Sequence, residues 1–101
     1  MNDAPKVDST KYVWVITEQQ PGQDETFVGL STPEGAPFLP VCDTKEDALM
    51  LLGRLPKGEG KRQAEAIHRE GLLEEARKDG FAVYLVDPEG ILRERLDSPE
   101  H

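Results

Sequence analysis

"KGEGKRQAEAIHREGLLEEARKDG", residues 57 to 80, is the stretch whose reading decides the fold. Its glycines ahead of a lysine suggest a phosphate-binding loop. Such a loop needs a glycine, four residues, then Gly-Lys and a hydroxyl residue, all directly after a buried strand. Around Gly60-Lys61 the first glycine's place holds Leu55, Arg62 stands where the hydroxyl belongs, and a helical pattern precedes. The dinucleotide-binding pattern fails for the same structural reason. KGEG therefore reads as a connection between helices. Residues 61–79 then read as helix, either in one piece or in two divided near Gly71, because an interior glycine costs about 1 kcal/mol relative to alanine. Gly80 stands where a left-handed C-cap is expected.

Upstream of that stretch, KYVWVIT reads as a strand, with Tyr12, Trp14 and Ile16 on one face and Val13 and Val15 on the other. A strand apolar on both faces belongs inside a sheet. Pro21-Gly22 marks a turn, TFVGL a shorter strand, and APFLPVC an extended run. Pro37 and Pro40 cannot donate ladder hydrogen bonds, which places that run at an edge or makes it irregular. A helix follows. Asp43 or Thr44 caps it, Thr44 and Asp47 have capping-box spacing, Ala48, Leu49, Leu51 and Leu52 give its apolar stripe, and Pro56 ends it. Downstream, FAVYLV is again apolar on both faces, DPEG is a turn, and ILRERL returns with the charges of an edge strand.

The expected fold is α+β, in chain order strand, strand, strand, helix, helix, strand, strand. Strands at 11–17, 25–30, 81–86 and 91–96 share one antiparallel-rich sheet of about five strands, with both helices on one face. One domain spans residues 11–97, between flexible ends at 1–10 and 98–101.

Composition narrows the function. The 101 residues carry a net charge of −8, and the first fifty hold only Lys6, Lys11 and Lys45 against nine carboxylates. That balance argues against nucleic acid, whose binding is driven by lysine and arginine displacing counterions, and against an anionic membrane surface. No apolar run approaches the roughly 20 residues of a membrane span, and the N-terminus lacks a signal peptide's apolar stretch. A cytoplasmic location is the expectation. Cys42 is the sole cysteine, so no internal disulfide forms.

Charge runs against this trend in one place. Residues 54–70 balance to +2, leaving −10 for the remainder. Lys57, Lys61, Arg62, His68 and Arg69 are the candidate ligand-binding residues, for a small anionic ligand or an acidic partner. The competing reading is a solvated helix face with Arg62, Glu65 and Arg69 in salt-bridge spacing. Cys42 lies just before a helix, where a thiol can be activated, but Asp43, Glu46 and Asp47 crowd that end and favour the neutral form. His68 and His101 have no ligand spacing with Cys42, so no metal site is expected. Asp87-Pro-Glu89 lacks the alternating oxygens of a calcium loop. Trp14 reads as core rather than as a contact residue. No catalytic constellation or cofactor motif emerges.

Two landmarks resemble a known family. "PFLPVCDTKEDALMLL" is similar to a stretch of the enhanced-serine-sensitivity (SseB-like) family, in which a strand ending in Leu-Pro-Val leads through a Thr/Ser cap into a helix. "LLEEARKDGFAVYLVDPEG" resembles that family's later helix, glycine, buried strand and Asn/Asp-Pro turn. The likeness covers roughly residues 36–92; Cys42 departs from the usual aromatic, and Asp87 stands where asparagine is common. The resemblance implies a compact α+β domain without established catalytic residues. The leading functional expectation is a non-enzymatic interaction or regulatory module that contacts a protein partner or itself as a homodimer. Anionic-ligand binding through the basic segment is the alternative, and thiol-dependent activity at Cys42 a third.

Overall fold

Two strands with apolar residues on both faces must be covered from both sides, and the architecture does this. The computed structural model describes residues 11–56, 58 and 60–96. The expected flexible ends 1–10 and 98–101, and Lys57, lie outside the described residues. The elements are β1 (Tyr12–Gln19), β2 (Thr26–Phe27), β3 (Leu30–Ser31), β4 (Pro37–Val41), α1 (Lys45–Arg54), β5 (Lys61–His68), α2 (Arg69–Asp79), β6 (Ala82–Val86) and β7 (Leu92–Arg95). They build a compact α+β fold with two sheets, β2-β1-β5 and β3-β4-β6-β7, instead of the single sheet expected.

The largest departure is β5. Residues 61–68 are a strand, not the start of a helix, and they pair antiparallel with β1 from Tyr12↔His68 through to Gln19↔Lys61. Lysine, arginine, glutamine, alanine and glutamate do favour helix, but the preference is worth under about 0.7 kcal/mol per residue. A buried strand with an unpaired edge loses more, about 1–3 kcal/mol for each unsatisfied backbone group. The pairing of β1 wins. Helix α2 consequently starts at Arg69, and Gly71 lies in its first turn rather than dividing it. Gly80 caps it in the left-handed conformation expected, at φ 78°.

Successive strand residues point to opposite faces, and the core divides along that alternation. Val13, Val15, Leu39, Val41 and Val83 gather with Leu72 and Ala76 of α2. Ile16, Phe38, Cys42 and Val86 gather with Ala48 and Leu51 of α1, and half-buried Trp14 packs against them. The helices therefore cover opposite faces, which corrects the expectation of helices on one side. Of the expected α1 stripe, Leu49 falls outside and is exposed. Thr44, not Asp43, supplies the cap, its hydroxyl accepting from the Asp47 N–H at 3.1 Å.

Strand β4 is not the edge its prolines suggested. It lies between β3 and β6, pairing parallel with β6 from Phe38↔Ala82 to Val41↔Leu85. Pro40 falls where β4 passes from one neighbour to another: Phe38 faces Leu30 of β3, and Cys42 exchanges both backbone bonds with Trp14 of β1, at 2.8 and 2.9 Å. The missing N–H sits at that change of partner and costs no ladder bond there. The expected burial order holds, with β7 exposed throughout and Val83 and Val86 of β6 buried. Asp87 closes the β6–β7 turn, its Oδ1 accepting from the N–H groups of Glu89 and Ile91, each at 2.9 Å. Among the described residues no helix is long and apolar enough to cross a membrane.

Two glycine substitutions separate the packing roles of the central stretch. A Cβ on Gly60 would lie 2.7 Å from the Gln19 carbonyl oxygen, whereas one on Gly71 would meet open space. In urea unfolding, Gly60→Ala is expected to destabilise by about 1–3 kcal/mol, as overpacking does. Gly71→Ala is expected to stabilise by about 0.4–1 kcal/mol by restricting the unfolded chain.

Candidate functional site

The basic residues of the central stretch do not converge on one place. Lys61 and Arg62 open β5, while His68 and Arg69 stand at its far end. At about 3.3 Å per residue the two groups are roughly 23 Å apart. Arg62 is committed to structure. Its Nε donates to Glu18 Oε1 at 2.7 Å across the β1–β5 pair, and its Nη1 donates to the Pro56 carbonyl at 2.6 Å. Hydrogen bonding from Arg62 and then from Gln20 holds the Glu18 carboxyl below its usual range. Gly58 lies against this pair, since a Cβ there would sit 2.7 Å from Arg62 Nη2 and 2.8 Å from Glu18 Oε1. The glycines of KGEG thus let the chain pass an ion pair closely.

At the other end of β5, Lys11, His68, Arg69, Glu70 and Leu73 line a concavity of about 500 Å³ at the start of α2. The Arg69 N–H donates to the Lys11 carbonyl at 2.6 Å, and the Tyr12 and His68 rings meet edge-on at 5.4 Å. No side chain caps α2 here. Lys11 was absent from the candidate set because its proximity depends on β5 being a strand.

Cys42 is buried at 1% exposure. Burial, with the negative charges of Asp47, Asp43 and Asp87, pushes its thiol up to about 12. A protonated, enclosed thiol is a poor nucleophile. Among the described residues no group of three or more histidine, cysteine, aspartate or glutamate side chains could hold a metal ion.

A polar cluster that the sequence did not reveal surrounds Thr17, the one buried polar residue described. Its hydroxyl lies 3.0 Å from both Glu25 Oε2 and Glu65 Oε2 and can donate to only one at a time. Gln63 Nε2 donates to the same two oxygens, at 3.0 and 2.6 Å. Hydrogen bonding from Glu65, then Thr17 and Gln63, holds the Glu25 carboxyl below its usual range. This cluster fastens the segment before β2 to β5 across β1.

Beside it lies an apolar pocket of about 220 Å³. Buried Leu39, Leu72 and Ala76 line it, along with Phe27 and Phe81, which stay 40% and 39% exposed. Glu75 and Asp79, one turn apart on α2, are the carboxylates among its lining residues. Phe27 is the cross-strand partner of Thr17, so the polar cluster and the pocket share one face. Gly29 lines the pocket as well, and a Cβ there would approach Phe38 O to 3.3 Å and Phe81 Cε1 to 4.0 Å. No periodic pattern along the chain marks this pocket, because Phe27 and Phe81 belong to a two-residue strand and a connector.

Comparison of the chain with family models, with curated proteins and with solved structures finds no match.

Two measurements check these assignments. A disulfide reagent at neutral pH should label Cys42 only as fast as the protein unfolds. Because the folded thiol titrates above its unfolded value, the unfolded state loses its proton first as pH rises. Wild-type stability should therefore fall above about pH 9, more steeply than that of Cys42→Ala, in thermal melts across alkaline pH. The Glu25 carboxyl has the opposite sign. Its contribution is present above the ordinary carboxylate value and is lost as pH falls through the depressed one. Glu25→Gln should flatten the acid limb of the melting-temperature profile.

Proposed function

We propose that the protein is a non-enzymatic interaction module that pairs with a second copy of itself along β5. The observation that carries this reading is the character of that edge. Exposed edges are ordinarily kept short, bulged or heavily charged, because their unpaired backbone groups recruit other strands. Among the described strands β2 and β3 have two residues each. Strand β7 has four, three of them charged, and its pairing with β6 is irregular. By contrast, β5 has eight residues in unbroken register, without proline or glycine.

The direction of its backbone groups follows from the ladder. The bond from Arg69 N–H to Lys11 O turns the odd-numbered residues of β5 toward β1. Arg62, Ala64, Ala66 and His68 then direct their N–H and C=O groups outward. An antiparallel pairing with a two-fold axis at Ala64 sets Lys61 opposite Ile67, Arg62 opposite Ala66 and Gln63 opposite Glu65. Shifting the axis to Glu65 would oppose two carboxylates, which is destabilising. Shifting it to Ala66 would shorten the overlap.

The SseB-like resemblance belongs with this proposal, since it implies a non-catalytic α+β module and carries no site residue. A second reading, small anionic-ligand binding, is favoured by the meeting of Lys11, His68 and Arg69 at the uncapped start of α2. Phosphate titration followed through the His68 ring resonances tests it.

Sedimentation should show a dimer for the wild type and a dimer at least tenfold weaker for Ala66→Pro, with an unchanged circular-dichroism spectrum. Residues opposed as a hydrogen-bonded antiparallel pair have Cα atoms about 5.5 Å apart, within disulfide range. Ala64→Cys should therefore cross-link between copies on oxidation and Ala66→Cys should not, with buried Cys42 silent. A wild-type monomer without cross-linking at either position would refute the reading.

A further inference from the structure

The pocket beside Phe27 and Phe81 shares no lining residue with the β5 edge. Its size restricts what can enter. Sites for small molecules run from about 300 to 1,000 Å³, whereas this one holds about 220 Å³. That space suits one bulky side chain. Its composition matches the centre of a protein contact, with aromatic walls over a buried aliphatic floor. Phe27 and Phe81 are large apolar residues left substantially exposed by folding, and both border this same cavity.

Charge says which partner fits. Glu75 and Asp79 border the pocket from α2 and are exposed. On the same sheet face, Phe27 stands beside Thr17, whose hydroxyl lies within hydrogen-bond reach of Glu25 and Glu65. An apolar cavity bordered by two exposed carboxylates favours an apolar anchor with cations beside it. The chain's overall charge of −8 adds a long-range attraction of the same sign.

We propose that this pocket takes a segment of a basic partner protein, seating one aromatic or large aliphatic side chain between Phe27 and Phe81 while neighbouring lysine or arginine residues meet Glu75 and Asp79. The apolar anchor supplies most of the affinity, as buried aromatic contacts do in protein interfaces. The flanking cations supply orientation and speed of encounter, and they make binding sensitive to salt. Neither Phe27 nor Phe81 is counted among the buried core residues, so the pocket can be altered without dismantling the fold.

The test uses three fluorescent peptides with the full-length chain, read by anisotropy at low and at physiological salt. One carries phenylalanine between two arginines, one replaces the phenylalanine with alanine, and one replaces both arginines with glutamate. The first should bind, each of the others at least tenfold more weakly, and binding of the first should weaken as salt rises. Phe27→Ala and the double variant Glu75→Lys with Asp79→Lys should each reduce affinity for the first peptide at least tenfold while keeping the wild-type circular-dichroism spectrum. Amide chemical-shift changes should centre on Phe27, Gly29 and Phe81. The Ala66→Pro variant should bind as the wild type does, which separates this surface from the β5 edge. Absence of binding at low salt would overturn the proposal. Equal binding of the alanine peptide, or affinity indifferent to both protein variants, would do so too, reducing the contact to non-specific charge attraction.

Discussion

Strand β1 is enclosed in four directions, and the rest of the molecule is arranged to enclose it. On one edge it meets β5 over its full length; on the other it meets β2 and then Cys42. Val13 and Val15 enter the layer beneath α2, and Ile16 the layer beneath α1. A segment buried on both faces leaves no backbone group access to water, so each must find a partner. That requirement forces an eight-residue segment, six of its residues helix-favouring, into a strand. It also fixes the start of α2 at Arg69, which in turn brings Lys11 to that helix's first turn.

Much of this was legible where local chemistry and tertiary demand agree. Thr44 caps α1, Gly80 closes α2, and Asp87 organises the last turn as their positions indicate. The two-faced strands were also readable, and taken strictly they already required a cover on each side. What could not be read is decided by distant residues. Strand β5 owes its state to β1, more than forty positions away, and Pro40 is tolerated inside a sheet only because β4 changes neighbours there. The candidate site divided in the same manner. The basic residues were visible as a run, but a strand spreads such a run along a line, where a helix would have gathered it by turns. Thr17, Glu25 and Glu65 assemble from three separate segments, and no spacing in the chain announces them.

The electrostatic layout follows from that geometry. Acidic groups collect on the face covered by α2, around Thr17 and along the pocket, while Lys11 and Arg69 stand at the other end of the same helix. Arg62, the cation that looked most available in the sequence, is paired with Glu18 and holds the α1–β5 connection against the sheet. Cys42 fills space between Trp14 and α1, buried and free of any disulfide.

The meeting of β1 and β4 has a further consequence for how the molecule holds together. At Trp14 and Cys42 the two sheets exchange a pair of backbone bonds, but one step along, Ile16 has already turned to Val28, and Pro40 has no hydrogen to offer. The strands form a fork, and proline stops it from zipping further. Beyond the fork the two leaves, β2-β1-β5 and β3-β4-β6-β7, are held together by side chains, because each core layer draws on both. The pocket lined by Phe27 and Leu39 draws its walls from both leaves, so whatever occupies it also fastens them together.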